Sequence, residues 1–275
     1  LRAWPPSPPA ARWARIVDRL VLALRSGRPL LVVSDFDGAL VPLVADPSEA
    51  RLPPQVREDL RTLATTDGVT VAVLSGRGLD DLRGRVGLSS VVYGGCHGLE
   101  MAGPGMAFCH AGADARRGVL ADVARELRGR LATFPGVLVE AKGLAVTVHY
   151  RHAGADAADR LAGHVRAVAG AYRDVTLAPG RKAFELLPVG DWDRGRCIAW
   201  LETRVRARAG GPVATVYLGD AAAGEDTVRT LHGRAITVMV GARPAVGAAH
   251  RVPAVHDVHR VIAGLADHLS ARAAR

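Results

Sequence analysis

Cysteine is scarce in this chain of 275 residues: there are three, Cys96, Cys109 and Cys197, far apart and odd in number. That spacing offers neither a disulfide framework nor a thiolate metal site, and the expectation is a reducing interior. Aromatic residues make up only 4%, too few to lay out the stacking platforms of a single-strand nucleic-acid binder. A net charge of +9 raises the question of nucleic acid all the same. The basic residues are spread along the chain without a dense run, so we expect no nucleic-acid partner and read part of the charge as suited to an anionic substrate. No apolar stretch approaches the roughly 18 residues of a membrane span. The first residues also lack the pattern of a signal peptide, because arginines flank the short apolar patch VLAL on both sides. A soluble, cytoplasmic protein with no membrane contact is expected.

Apolar residues, by contrast, are plentiful. A hydrophobic content of 49% over this length can bury one large domain or two modest ones. The stretch 30–43, LLVVSDFDGALVPL, is the most informative. Its first five residues read as a short, fully buried parallel strand. The strand runs out on Asp35 and Asp37, followed at once by Gly38. Acids fit a buried strand only at its carboxyl end, where open α/β sheets keep their ligands. The two carboxylates alternate to the same side and repel unless a cation lies between them, which reads as a Mg²⁺ site. The plainer alternative is a strand followed by a loop with two solvated acids.

Taken in order, residues 1–10 are proline-rich and expected to be disordered, and 11–25 form an amphipathic helix. Pro53 and Pro54 open a helix carrying Val56, Leu60 and Leu63. A second strand, 69–74, ends in Ser75, Gly76 and Arg77. After a helix with Leu79, Leu82 and Val86, a third strand, SVVYGG, ends in Cys96, His97, Gly98, Leu99 and Glu100. Strands alternating with helices, polar at each carboxyl end, make the doubly wound α/β pattern with a mainly parallel sheet. The period then changes: helix 115–134, a hairpin over 137–151 turning at Lys142 and Gly143, helix 155–172, and a hairpin over 175–188 turning at Pro179 and Gly180. The α/β pattern resumes with helix 193–206, the strands VATVYLGD and AITVMVG, and a C-terminal helix. The expected division is a tail and helix (1–29), a first core part (30–104), an inserted α+β unit (105–188) and a second core part (189–275).

The order DFDG, SGR, D-R-G at 193–195 and strand-GD at Gly219 and Asp220 resembles the haloacid dehalogenase superfamily of phosphatases. Longer strings narrow it: SDFDGALVPLVADPSEA, YGGCHGLE, VEAKGLAVTVHYR, FELLPVGDWDRG and VYLGDAAAGED are similar to the trehalose-6-phosphate phosphatase family. The resemblance implies a haloacid dehalogenase-like core whose inserted unit acts as a cap, Mg²⁺ as cofactor, and hydrolysis of trehalose 6-phosphate to trehalose and phosphate through an aspartyl-phosphate. It implies Asp35 as nucleophile and Asp37 as general acid and base. The metal falls to Asp35, the Asp37 backbone carbonyl and Asp220, and the phosphoryl oxygens to Ser75 and Arg194. The sugar would meet Gly38, Gly76, Arg77, His97 and Glu100 from the core, and Glu140, Lys142 and Glu185 from the cap. A trehalose-phosphate synthase is the macromolecular partner it suggests. Taken singly, Ser75 also reads as a helix cap, Arg194 as a surface charge, Glu140 and Lys142 as a solvated hairpin tip, and His97 as a core histidine bonded to a carbonyl.

Several positions depart from the family's pattern. Ala39 stands where a threonine would orient Asp37, Arg194 stands for a lysine, and Leu187 for an arginine. Ala221 and Gly224 replace two carboxylates near the metal. Such outer groups commonly matter 10–100-fold for metal affinity or activity. The departures make room for a second expectation, a catalytically impaired member that binds sugar phosphate or a synthase, and for a phosphatase acting on another sugar phosphate.

Overall fold

Short valine- and leucine-rich runs between polar turns decide the architecture, which a computed structural model describes for residues 9–44, 46–154, 156–221, 224–241 and 247–273. Most of the stretch expected to be disordered, 1–8, lies outside the described residues. The chain begins with α1 (Pro9–Arg25), then β1 (Leu30–Asp35), α2 (Pro54–Ala64), β2 (Val69–Leu74), α3 (Leu79–Val86) and β3 (Val92–Gly95). A hairpin, β4 (Glu100–Gly103) and β5 (Met106–Cys109), follows. Next come α4 (Ala111–Asp114), α5 (Arg117–Leu131), β6 (Leu138–Ala141), β7 (Val146–His149), α6 (Ala157–Ala171), β8 (Val175–Gly180) and β9 (Ala183–Pro188). The last part holds α7 (Arg194–Ala209), β10 (Ala214–Asp220), α8 (Glu225–Thr230), β11 (Ile236–Val240), β12 (His250–Val252) and α9 (Val255–Ala273).

One sheet runs β12-β11-β10-β1-β2-β3-β4-β5, parallel from β12 to β3 and antiparallel beyond. β1 lies between β10 and β2 with all six residues buried. Helices cover both faces: Ile16, Leu60, Leu82 and Leu265 pack on one side, Ile198, Leu201 and Val228 on the other. From β1 the chain winds outward through β2 and β3, then returns to build β10, β11 and β12 on its opposite side. That reversal leaves a crevice at the carboxyl ends of β1 and β10, where such sheets bind ligands.

The second sheet is antiparallel, β6-β7-β9-β8. α5 and α6 cover one face, packing Leu127, Leu161 and Val165 against Val146, Val148 and Leu186. The two units also meet along an apolar seam of Cys96, Leu99, Ala113, Leu144 and Ala145, to which Leu187 and Trp192 add. Leu187 thus packs where the resemblance leads one to expect an arginine.

Three details differ from the sequence reading. The β4–β5 hairpin extends the core sheet to Cys109, past the residue 105 at which the inserted unit was expected to begin. From the sequence the polar end of the third strand runs to Glu100 and no strand is assigned over 101–109, and the three-residue β12 is too short to show a period. The second hairpin turns at Arg181 and Lys182, not at Pro179 and Gly180, which pair with Phe184 and Ala183 inside the ladder. Proline is tolerated there because β8 is an edge strand. Among the described residues no helix is long and apolar enough to cross a membrane.

The second sheet has its own core, so damage there should stay local. Leu186→Ala, at a fully buried position, should cost about 2–5 kcal/mol. Hydrogen exchange should then quicken in α5, α6 and β6 to β9 while β1, β2 and β10 keep their protection. Equal loss of protection in both sheets would mean a single cooperative core.

Candidate active site

Asp35 ends β1 and is only 3% exposed. Burial raises its carboxyl above the usual range, against the pull of Arg194, the Tyr217 hydroxyl and the Asp220 backbone N–H. Tyr217 donates to Oδ2 at 2.9 Å, and Arg194 Nε stands 3.3 Å from Oδ1. Yet Asp35 Oδ1 and Arg194 Nε, both buried, have no hydrogen-bond partner. Two such groups side by side cost free energy unless a ligand completes them. Arg194 is the first residue of α7, whose N-terminus Asp193 caps by accepting the Arg196 N–H at 2.8 Å. Burial opposes its charge, but Asp35 beside it prevails and the guanidinium stays protonated.

Tyr217 was not foreseen. Its signal lies in the register: Tyr217 pairs with Val33, so its side chain shares the sheet face of Asp35, two residues on. Gly219 leaves the room it needs, for a Cβ there would lie 2.5 Å from the phenolic oxygen.

Asp37 is held by a fork. Arg77 donates from Nη2 to Oδ1 at 2.8 Å and from Nε to Oδ2 at 2.9 Å, and Ser75 Oγ donates to Oδ2 at 3.1 Å. Arg77, expected at the sugar, and Ser75, expected at the phosphoryl group, therefore both hold Asp37 in this structure. Between them they fix the orientation of Asp37 with no hydroxyl at position 39. Ala39 itself is fully buried among apolar neighbours.

Gly38 takes φ +84°, and a Cβ there would stand 2.8 Å from Asp220 Cβ. The turn thus brings the end of β1 against the end of β10, close enough for the charges of Asp35 and Asp220 to oppose one another. Among the described residues no group of three or more His, Cys, Asp or Glu forms a metal cluster. Two carboxylates, Asp35 and Asp220, with the Asp37 backbone carbonyl instead suit a hard cation that keeps several waters. Gly224 has an ordinary φ of −110°. A Cβ there would press on the Met239 methyl, the free end of a flexible side chain, and stand 3.0 Å from the fixed Asp220 carbonyl oxygen, so the backbone conformation itself does not exclude a side chain. Ala221, with Gly38, Asp220, Gly241, His259 and Arg181, lines a cavity of about 560 Å³ beside this site.

The inserted unit turns its polar face to the core. Lys142 Nζ donates to the Gly76 carbonyl at 2.9 Å and lies 3.7 Å from Glu140 Oε2. Glu185 Oε2 bonds His97 Nε2 at 3.0 Å, and His97 Nδ1 lies 3.4 Å from Arg194 Nη2. His97 is therefore bonded to a carboxylate and not to a backbone carbonyl, on a left-handed backbone with φ +61°. Burial works against the charge of Glu185, but His97, Lys142 and Arg194 outweigh it and hold the carboxyl down to about 2. Glu140, also working against burial, is kept below the usual range by His149 Nε2 at 2.8 Å and by Lys142. His149 was missed, although it stands two residues from Thr147 and so on the same strand face. Glu100 stands apart, its Oε1 3.5 Å from Arg117 Nη2.

A family model described as trehalose-phosphatase matches residues 33–251. The trehalose-phosphate phosphatase of Mycobacterium tuberculosis is 37% identical over 234 residues, which cover 83% of this chain and 59% of the relative. That of Mycobacterium avium is 40% identical over 209 residues, covering 76% of this chain and 53% of the relative. The chain thus spans a little over half the length of these curated relatives. A solved trehalose-6-phosphate phosphatase related protein has a TM-score of 0.76 at 21% identity, covering 88% of this chain and 99% of that one. At that identity the likeness is one of fold.

The contact between His97 and Glu185 carries a pH signature. The Glu185 carboxyl lies at about 2 against an ordinary 4.5. A depressed carboxyl adds stability above its unfolded value and loses it as pH falls through the folded one. Between about pH 4.5 and 2 the protein should therefore lose stability that Glu185→Gln never had. Thermal unfolding of both proteins across that window checks it; parallel profiles would mean that the pair adds nothing.

Proposed function

The chain belongs to the trehalose-phosphatase family, and from that premise we propose that it hydrolyses trehalose 6-phosphate to trehalose and phosphate with Mg²⁺ as cofactor. The observation that carries this reading is the pair of unsatisfied buried atoms, Asp35 Oδ1 and Arg194 Nε, facing each other 3.3 Å apart. A phosphoryl group would supply an electrophile to the first and an acceptor to the second. Asp35 attacks phosphorus, forming an aspartyl-phosphate as the bond to the sugar oxygen breaks. Asp37 gives a proton to that leaving oxygen, then takes one from the water that cleaves the acyl phosphate. Arg77 and Ser75 hold Asp37 as the carboxylate that takes the water's proton. Giving the earlier proton to the leaving oxygen requires one Asp37 oxygen to leave that fork. Arg194 balances negative charge on the phosphoryl oxygens. Mg²⁺ held by Asp35, the Asp37 carbonyl and Asp220 would add positive charge at the same oxygens. Glu140, Lys142, Glu185 and His97 exchange their present partners for sugar hydroxyls, whose direction fixed acceptors and donors can read. A synthase producing trehalose 6-phosphate is the partner such an enzyme implies.

Ala221 and Gly224, which bring no carboxylate to the stretch after Asp220, favour a second reading, in which the site binds the sugar phosphate but turns it over poorly. Phosphate release during a Mg²⁺ titration separates the two. We expect release from trehalose 6-phosphate that stops when the metal is chelated and that needs high Mg²⁺. Ala221→Asp, which places a carboxylate on the cavity wall beside Asp220, should lower the Mg²⁺ required by about 10- to 100-fold. Tight binding of trehalose 6-phosphate without release at any Mg²⁺ would establish the second reading. Faster release from another sugar phosphate would reassign the substrate.

A further inference from the structure

Thr147 lies at the middle of a row that crosses the second sheet. It pairs in register with Glu140 on β6 and with Glu185 on β9, so the three side chains share one face. Its neighbours Val146 and Val148 point the other way, into the core under α5 and α6. The face carrying Thr147 is the one that meets the core sheet, since Glu185 bonds His97 and Lys142 reaches the Gly76 carbonyl. Thr147 is 2% exposed, and its hydroxyl has no hydrogen-bond partner.

A valine would hold the same strand with the same shape and leave no polar atom unpaired. The hydroxyl therefore needs a reason. Its two flanking residues are carboxylates, which accept hydrogen bonds and cannot donate them. A sugar hydroxyl that donates to one carboxylate keeps lone pairs free, and a neutral donor between the two can fill them.

We propose that Thr147 is a further sugar-binding residue of the cap, donating its hydroxyl hydrogen to a ring hydroxyl held between Glu140 and Glu185. This rests on the sugar-phosphate reading above. In the present structure Lys142 bonds the Gly76 carbonyl and Glu185 bonds His97 across the gap between cap and core. A sugar entering there takes over those contacts and meets Thr147 at the centre of the row. The residue thereby sets specificity for the sugar and takes no part in the phosphoryl chemistry.

The test is steady-state kinetics of the parent, Thr147→Val and Thr147→Ser, on trehalose 6-phosphate and on p-nitrophenyl phosphate, with thermal unfolding of each. Thr147→Val should raise KM for trehalose 6-phosphate about 3- to 10-fold more than KM for p-nitrophenyl phosphate, the loss of one neutral hydrogen bond. Its melting temperature should not fall, because the hydroxyl it removes is unpaired. Thr147→Ser should restore the sugar-phosphate KM. Equal KM values in parent and Thr147→Val, with the parent active on trehalose 6-phosphate, would overturn the role of Thr147 alone. So would equal losses on both substrates. A parent that cleaves p-nitrophenyl phosphate and neither binds nor cleaves trehalose 6-phosphate would overturn the substrate reading and this proposal with it.

Discussion

A carboxylate taken out of water at the end of a buried strand is the constraint to which the rest of the site responds. Asp35 closes β1, the strand with its whole length buried between β10 and β2. A charge there is costly unless paired and hydrogen-bonded. The fold answers with three groups from distant parts of the chain: the Arg194 guanidinium at the start of α7, the Tyr217 phenol of β10 and the backbone N–H of Asp220. The answer is incomplete, since one oxygen of Asp35 and one nitrogen of Arg194 form an ion pair but no hydrogen bond. A group held this way is prepared for a ligand before the ligand arrives, so little reorganisation remains at the moment of reaction.

The same economy governs the inserted unit. Its polar face offers the core a lysine, two carboxylates and a histidine, and in the shut arrangement each is satisfied by a neighbour. Lys142 bonds the Gly76 carbonyl, Glu185 bonds His97 and Glu140 bonds His149. Substrate binding on this account is an exchange of partners, with the favourable term being the difference between two sets of hydrogen bonds. The apolar seam around Cys96, Leu144 and Leu187 gives the unit a second attachment that does not depend on those contacts.

Much of this was legible in the sequence. The strand of β1, its two acids and the alternation of buried strands with amphipathic helices follow from period and placement alone, and the strand at 69–74 is found where its apolar run lies. Both helices and both hairpins of the inserted unit were visible for the same reason. What was not legible depends on register or on length. Tyr217 looks like one more core residue until β10 is aligned with β1. Thr147 looks like an ordinary strand residue until Glu140 and Glu185 are set opposite it, and His149 until the same register brings it diagonally to Glu140. The three-residue β12 is too short for its period to speak, and Pro179 looked like a turn because the edge position that tolerates it is a tertiary fact. Arg77 shows a further limit: a sequence places an arginine near a site without saying which carboxylate it will grip.

The central claim is that Asp35 takes the phosphoryl group. Brief reaction with trehalose 6-phosphate and Mg²⁺, acid quenching and borohydride reduction convert an aspartyl-phosphate into homoserine, which peptide mass spectrometry can locate. The account predicts homoserine at position 35, and none in an Asp35→Asn protein. Phosphate release with residue 35 unmodified, or reduction at a different aspartate, would contradict it.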